Sequence, residues 1–566
     1  MEDSEERNYD DPEKQEEEQQ KDKSLWTPLL NHQIFFLFWI GLIITNIGNS
    51  MQVIGSSWLM TTLTHSPFLI AMIQASTSLA VVLLTVPTGA LSDIFDRRKF
   101  LLFIRSWMLI VVLILSILTI YNIITPSILL ILTFALGIGI AMNMPMSIIA
   151  ASEMVSRTEV HKTITLVSVA ANIGIAMGPL IGGLILINEN PGYLFLLNAL
   201  TIVAMIVIIY RWRRTRAVSS PPKTELPPEH VLDAIKSGLH YVYNSPQAQS
   251  MFVRVTAFAF FGSIISALLP VLASQQTITL GVLGYGLLLS SFGAGSIIGG
   301  VTLYPILRWV KHFEQIVTLS IILLAVVMLV IYFVNNLAIL SVAMMAAGSG
   351  WIFIISSLHY SMYKSVPKWV GARGLSIYLL IYQGSIALGS VIWGLVAQYY
   401  GVQYAFLFAA IGTILSLAVI FKYKLTGDLR DINKTPSRHW PEPMMVIEPN
   451  LQDGPVLVKL EYRIHPKTLN DFLLAIIELR RVRLRDGAIN WGLYRDDSDP
   501  NLYHEIFTVG SWAEHMHQHH ERLTVEDRKI EDHVNSFIIG NTLPIVSHLI
   551  AVPLTKNKNL IKRQKF

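Results

Sequence analysis

From residue 34 to residue 422 the chain alternates long apolar runs with short polar breaks. A helix needs about 20 apolar residues to cross a bilayer. Runs of that length occupy roughly 34–62, 67–91, 99–121, 127–152, 163–187, 193–212, 250–273, 279–305, 314–334, 337–362, 373–398 and 403–422. They predict an α-helical membrane protein with twelve transmembrane helices. Beyond them the period changes. Val456, Val458, Leu460, Tyr462 and Ile464 alternate with Leu457, Lys459, Glu461 and Arg463, the period of a half-buried strand. Leu469, Phe472, Leu473, Ile476 and Leu479 recur at helical spacing. A hairpin follows, with strands over Ile489–Tyr494 and Leu502–Val509 and a turn at Asp496–Asn501. A long helix from Trp512 to about Phe537 and a strand from Ile545 to Val552 complete a βαββαβ order, which predicts a C-terminal α+β ferredoxin-like domain.

The pattern divides the chain into six parts. Residues 1–33 are acidic and polar with little to bury, and read as a disordered cytoplasmic tail that is neither signal nor transit peptide. Residues 34–212 form an N-terminal six-helix half. Residues 213–249 form a cytoplasmic linker in which His230 to Tyr243 reads as an amphipathic surface helix, with Val231, Ile235, Leu239 and Val242 on one face. A second six-helix half spans 250–424, a Pro-rich linker 425–454, and a cytoplasmic α+β domain 455–566. The two halves share a constant offset of 211: Gly137 and Gly139 fall on Gly348 and Gly350, Gly178 on Gly389, and Gly183 on Gly394. The same offset sets Gly89 on Gly300 and Arg97 on Arg308, while Asp93 falls on Tyr304. This pattern predicts two six-helix repeats around a central cavity.

Composition agrees. Hydrophobic residues make up 52% and charged residues 14%, which is outside soluble usage and excludes a soluble enzyme. With no cysteine, disulfides, thiolate metal sites and cysteine nucleophiles are excluded. The breaks at 63–66, 122–126, 188–192, 274–278, 335–336 and 399–402 contain no Lys or Arg. The alternate breaks hold Arg97, Arg98, Lys99, Arg157, Lys162, Arg211, Arg213, Arg214, Arg308, Lys311, Lys364 and Lys368. A multi-pass inner-membrane protein with both termini cytoplasmic is expected.

Two motifs carry most information. Gly89-Ala-Leu-Ser-Asp93-Ile-Phe-Asp-Arg97-Arg98-Lys99 is a short charged hairpin between the second and third runs. In the fifth run, Gly174-Ile-Ala-Met-Gly178-Pro179-Leu-Ile-Gly182-Gly183 gives a small face for close helix packing and a proline that permits a bend. The hairpin resembles the loop signature of the major facilitator superfamily, and the fifth-run motif resembles the core of its exporters' signature, with Thr165 where the longer form has a glycine. The resemblance implies that Gly89, Asp93, Arg97 and Arg98 form a conformational latch, and that export is favoured over import. Asp96 stands where the family often has glycine. The tail stretch Trp512 to Asp527 resembles that of the branch that includes the enterobactin exporter and macrolide efflux proteins, the transmembrane secretion effector type with a C-terminal α+β domain. That domain is similar to small dimeric α+β monooxygenases, which implies a dimerisation or regulatory module, with no oxygenase activity inferred.

Other polar groups admit two readings each. Arg105 and Glu153 either snorkel to the interface or form a buried charge network with Asp93. Arg254, His359 and Arg373 lie near cytoplasmic ends, and no carboxylate sits near mid-membrane. Proton antiport is therefore implied by the family rather than by a local acid. Asn46, Asn49, Gln52 and Ser56 recur at helical spacing, and Asn143, Asn172, Trp351, Tyr378, Tyr382 and Gln383 lie in other runs. They either line a substrate cavity or bond between packed helices. A lining of amides and aromatics suits a bulky organic compound rather than an inorganic ion. His515 and His519 are one turn apart and can present two imidazoles to a transition metal, but no metalloprotease spacing accompanies them, and no metal site or cofactor is assigned. The expected function is export of a siderophore or drug-like molecule by alternating access, with a homodimer through the tail and no nucleic-acid partner. The alternative is a membrane-anchored enzyme or sensor whose functional unit is the C-terminal domain.

Overall fold

The computed structural model describes residues 24–94, 96–212, 240–275, 281–309, 313–365, 367–422, 435–437, 439–440, 449–540 and 542–552. The predicted surface helix at His230 lies mostly outside them. After a short helical turn at Thr27–Asn31 come α1 (Gln33–Leu63), α2 (Pro67–Ile94), α3 (Arg97–Ile120), α4 (Pro126–Glu153), α5 (Val160–Ile185) and α6 (Pro191–Arg211). Then follow α7 (Pro246–Ser274), α8 (Gly281–Trp309), α9 (Phe313–Phe333), α10 (Leu337–Ser365), α11 (Lys368–Tyr400) and α12 (Val402–Lys422). Starts are set by local chemistry. Pro67, Pro126, Pro191 and Pro246 open helices where no N–H partner is needed. Asp96, Thr125, Asn190 and Ser245 accept from the first-turn amides of Lys99, Ile128, Gly192 and Ala248.

Eleven described helices are long and apolar enough to cross a membrane, whereas twelve runs were expected. The remaining one is α12, whose described apolar stretch is the shorter Val402–Ala418. Packing follows a regular scheme. In the first six helices α1 meets α5 and α6, α2 meets α4, and α3 meets α6; in the next six α7 meets α11 and α12, α8 meets α10, and α9 meets α12. Each contact thus has a counterpart six helices further on. Glycines make the close approaches: a Cβ at Gly137 would fall 2.8 Å from Ala80 Cβ, and one at Gly299 would fall 2.8 Å from Ser349 Cα.

The tail contains β1 (Val456–Arg463), α13 (Leu469–Arg485), β2 (Asn490–Arg495), β3 (Leu502–Val509), α14 (Trp512–His517), a π turn (Gln518–Arg522), α15 (Val525–Asn535) and β4 (Ile545–Ile550). Its sheet is antiparallel with order β2-β3-β1-β4. The single helix expected from Trp512 to Phe537 is broken. Thr524 adopts an extended backbone and forms a capping box with Asp527, which starts a new helix. Residues of the Pro-rich linker fill the gap: Ser437 N donates to Leu523 O at 2.8 Å, and Val525 N to Thr435 O at 3.1 Å. Part of that linker is therefore built into the tail.

The tail core is apolar around Tyr462, Phe472, Leu479, Phe507 and Trp512, yet it also encloses charge. Arg483 donates to Glu531 at 2.7 Å and to Glu505 at 3.2 Å, and all three are buried. Burial pushes Glu531 upward, but Arg483 and hydrogen bonds from His439 and Trp440 win and hold it down to about 2. Its stabilisation is complete above pH 4.5, the ordinary value, and is lost as pH falls towards 2. Arg483→Met leaves two buried carboxylates uncompensated and is expected to destabilise the tail by about 3–5 kcal/mol. Thermal unfolding of the tail, followed by tryptophan fluorescence, checks this.

Candidate functional site

The two sets of six helices meet along α2–α11 and α5–α8. At α5–α8 the backbones nearly touch: a Cβ at Gly183 would fall 3.2 Å from Gly286 Cα and 3.3 Å from Val282 O. A Cβ at Gly293 would fall 2.6 Å from Ala176 Cα. At α2–α11 a Cβ at Gly394 would fall 2.8 Å from Ala71 Cβ. The partners of Gly183 and Gly394 obey the sequence offset, since Val282 and Ala71 also differ by 211 (282 − 71). Polar and aromatic contacts join them. Ser66 Oγ donates to Gln398 Oε1 at 2.7 Å, and Trp58 stacks on Tyr285 at 6.5 Å. Ser66–Gln398, Trp58–Tyr285, Gly183–Gly286 and Ala71–Gly394 all lie towards the helix ends joined by the Lys/Arg-free breaks. The interface is closed there.

The fifth-helix motif has two faces. Gly174, Gly178 and Gly182 lie against α1: an added Cβ would meet the Asn46 backbone at 2.6 Å, Ile47 O at 2.8 Å and Ile54 Cγ2 at 2.7 Å respectively. Pro179 and Gly183 lie against α8, where a Cβ at Gly286 would fall 2.7 Å from Pro179 O. One helix therefore packs tightly within its own half and supplies a smooth contact to the other.

In the hairpin, α2 runs through Gly89 and Asp93, whose side-chain placement lies outside the described residues. Asp96 has an ordinary φ of −59° and caps α3, so this turn needs no glycine. Arg97 pairs with Glu153 at the end of α4. Arg98 donates to the carbonyls of Ile209 and Tyr210, satisfying the C-terminus of α6. The structure thus joins Glu153 to Arg97, while the Asp93 member of the expected network lies outside the described side chains. Arg105 is 1% exposed, and its Nε and Nη1 have no hydrogen-bond partner among the described residues.

The polar stripe of α1 divides. Asn46 and Asn49 are half-buried, whereas Gln52 donates to Ser56 at 3.2 Å and accepts from Asn198 of α6 at 3.4 Å. Gln52 therefore bonds between helices of one half. Asn143 accepts from Ser147 at 3.1 Å and Asn172 donates to Ser168 O at 3.0 Å, each on its own helix. The aromatic candidates converge. Trp351 packs on Phe258 at 4.6 Å and Phe292 at 5.9 Å, and Tyr378 lies 4.7 Å from His359 and stacks on Tyr382 at 6.4 Å. Gln383 is half-buried one residue on. Among the described residues no ring contact or hydrogen bond joins these aromatics to the amides of the first half.

Sequence reasoning missed several contacts that depend on tertiary neighbours. Glu159 accepts from Asn31 at 3.0 Å, from Ser156 at 2.6 Å and lies 2.7 Å from His32, fixing the start of α1. Arg254 on α7 pairs with Glu314 on α9 at 3.2 Å. The tail docks through stacked cations: Arg522 lies 4.9 Å from the ring of Trp369 at the start of α11, and Arg485 lies 5.7 Å from that of Tyr241. Beside this contact a cleft of about 820 Å³ lies between His240, Tyr243 and Phe252 on one side and Leu484 and Ile489 on the other.

A bundle of membrane-length helices in two halves with matched contacts is the arrangement in which transporters place a site between repeats. Residues 23–556 match the transmembrane secretion effector family, and the chain belongs to that family of the major facilitator superfamily. A staphyloferrin A transporter from Staphylococcus aureus is 23% identical over 379 residues, 66% of this chain and 92% of the relative. Among solved structures, the nucleoside transporter NupG aligns with a TM-score of 0.57 at 13% identity, covering 69% of this chain and 99% of its own. A D-xylose–proton symporter aligns with a TM-score of 0.56 at 12% identity, covering 71% and 99%. Membership of that family makes the chain a membrane transporter of the major facilitator type and not a membrane-anchored enzyme.

Proposed function

We propose that the protein exports a bulky organic compound, a siderophore or a drug-like molecule of similar bulk, by alternating access between two six-helix repeats. The observation that carries this reading is the closed end of the interface, where Gly183 meets Gly286 beside the Ser66–Gln398 hydrogen bond and the Trp58–Tyr285 ring pair. The matched contacts six helices apart support a twelve-helix repeat, with α12 as its last span. The basic breaks support cytoplasmic termini in an inner membrane, so the closed end faces outward and substrate enters from the cytoplasm. The siderophore class is supported by the staphyloferrin A transporter, and a lining of Asn46, Asn49, Asn143, Asn172, Trp351, Tyr378, Tyr382 and Gln383 suits such a molecule.

Proton antiport rests on the family resemblance, and Asp93 and Glu153 at the cytoplasmic helix ends are the acids through which it is tested. Asp93 and Arg97 serve as the latch, and Glu153 pairs with Arg97. Asp93→Asn and Glu153→Gln are each expected to slow gradient-driven flux severalfold while leaving insertion intact. Flux of unchanged rate in both would remove these acids from coupling. The strand order β2-β3-β1-β4 supports a ferredoxin-like tail, and exposed Leu474, Ile477 and Leu549 support self-association through it. The export reading is tested by siderophore retention: cells lacking the protein should accumulate it inside, and complementation should restore release.

A further inference from the structure

Three imidazoles from separate parts of the tail converge. His515 lies on α14, His519 in the π turn that follows, and His548 on β4. Each offers one ring nitrogen, and these three atoms lie within 4.8 Å of one another. The ring of His515 is 4.7 Å from that of His519 and 4.7 Å from that of His548. His515 is 0% exposed and His519 7%. Both nitrogens of His515 and Nε2 of His548 lack a hydrogen-bond partner among the described residues. Leaving a buried polar group unsatisfied costs about 1–3 kcal/mol, so three facing imidazoles, two of them with orphaned nitrogens, call for a shared ligand.

We propose that His515, His519 and His548 bind a divalent transition metal ion of the zinc type, with a fourth position open to water or another donor. Three imidazoles suit Zn²⁺, Co²⁺ or Ni²⁺ and not Mg²⁺ or Ca²⁺, which take oxygen ligands. Zinc–nitrogen bonds of about 2.0–2.1 Å place donors about 3.3 Å apart in a tetrahedral site, so the cluster closes by at most about 1.5 Å on loading. Burial, with smaller contributions from the neighbouring imidazoles, lowers His515 to about 2 and His519 to about 3, and burial also lowers His548. The rings are thus neutral, the form that ligates metal. Nearby Arg483 would oppose a cation, but Glu505 and Glu531 neutralise it. Trp440 packs on His519 at 4.7 Å and Trp512 on His515 at 5.5 Å, giving the site an apolar wall. The geometry has a structural consequence. β4 is an edge strand paired only with β1, so a bound ion pins it to the segment whose Arg522 stacks on Trp369.

The test uses the full-length, tag-free protein in detergent, titrated with Co²⁺ and then Zn²⁺. One equivalent of Co²⁺ should produce the intense visible bands of a four-coordinate ion, and Zn²⁺ should displace it. His519→Gln and His548→Gln should each weaken Co²⁺ binding by at least about tenfold, with metal-free unfolding temperature and hydrodynamic size unchanged. His533→Gln, an exposed histidine on α15, should leave binding as it was. Absence of saturable binding, or equal affinity in all variants, would overturn the assignment. Because His548 is only partly buried, its variant keeps the test informative if His519→Gln fails to fold.

Discussion

Cysteines introduced at Ser66 and Gln398 and joined by a short thiol crosslinker are expected to reduce flux to background, with full recovery once reductant cleaves the link. Ser66 precedes α2 and Gln398 lies in the last turn of α11, and their side chains hydrogen-bond across the two halves at 2.7 Å. Alternating access requires this end to open, and a covalent tie of fixed length prevents it. The chain has no native cysteine, so the introduced pair is the only one to react. Flux measured in proteoliposomes before crosslinking, after it, and after reduction gives the answer. Undiminished flux in fully crosslinked protein would mean that the halves do not part at Ser66 and Gln398.

Gly286→Val should push the same equilibrium the other way. The added side chain meets Pro179 O and the backbone of Gly183, where no flexible group can yield. Overpacking of this kind costs about 1–3 kcal/mol, which shifts a two-state population by about 5–150-fold. The state closed at this end loses that population. A single cysteine at Ser66 should therefore label faster with an impermeant maleimide, and flux should fall in proportion. Gly300→Ala, where an added Cβ meets nothing within 4 Å, should change neither readout. Slow labelling and normal flux in Gly286→Val would exclude this contact from the transport cycle.

The helices were legible because a bilayer demands an unbroken apolar surface of fixed length, and that demand is written residue by residue. The small face of Gly174, Gly178 and Gly182 was legible as well, but its partner was not. Spacing shows which residues share a face, not which helix lies opposite it, so neither α1 nor α8 was foreseeable as the neighbour. Gln52 shows the same limit. It repeats with Asn46 and Asn49, yet its amide is taken up by Asn198, a residue 146 positions away. In the tail, the helix expected through 512–537 overlooked Thr524-Val-Glu-Asp527, a capping box readable in the sequence itself. His548 had no such signal. It joins His515 and His519 only because β4 returns beside β1, and no spacing rule links a strand residue to a helix turn so far upstream.

Flux through the membrane body itself is the property that decides between a transporter and its alternatives. The measurement is accumulation of a labelled siderophore in proteoliposomes holding either the full chain or a chain ending after about Lys424. Prediction is for gradient-dependent flux through both, because the proposed transport path runs between the two sets of helices and leaves the tail aside. No flux of any siderophore or drug-like compound through correctly inserted full-length protein would contradict it.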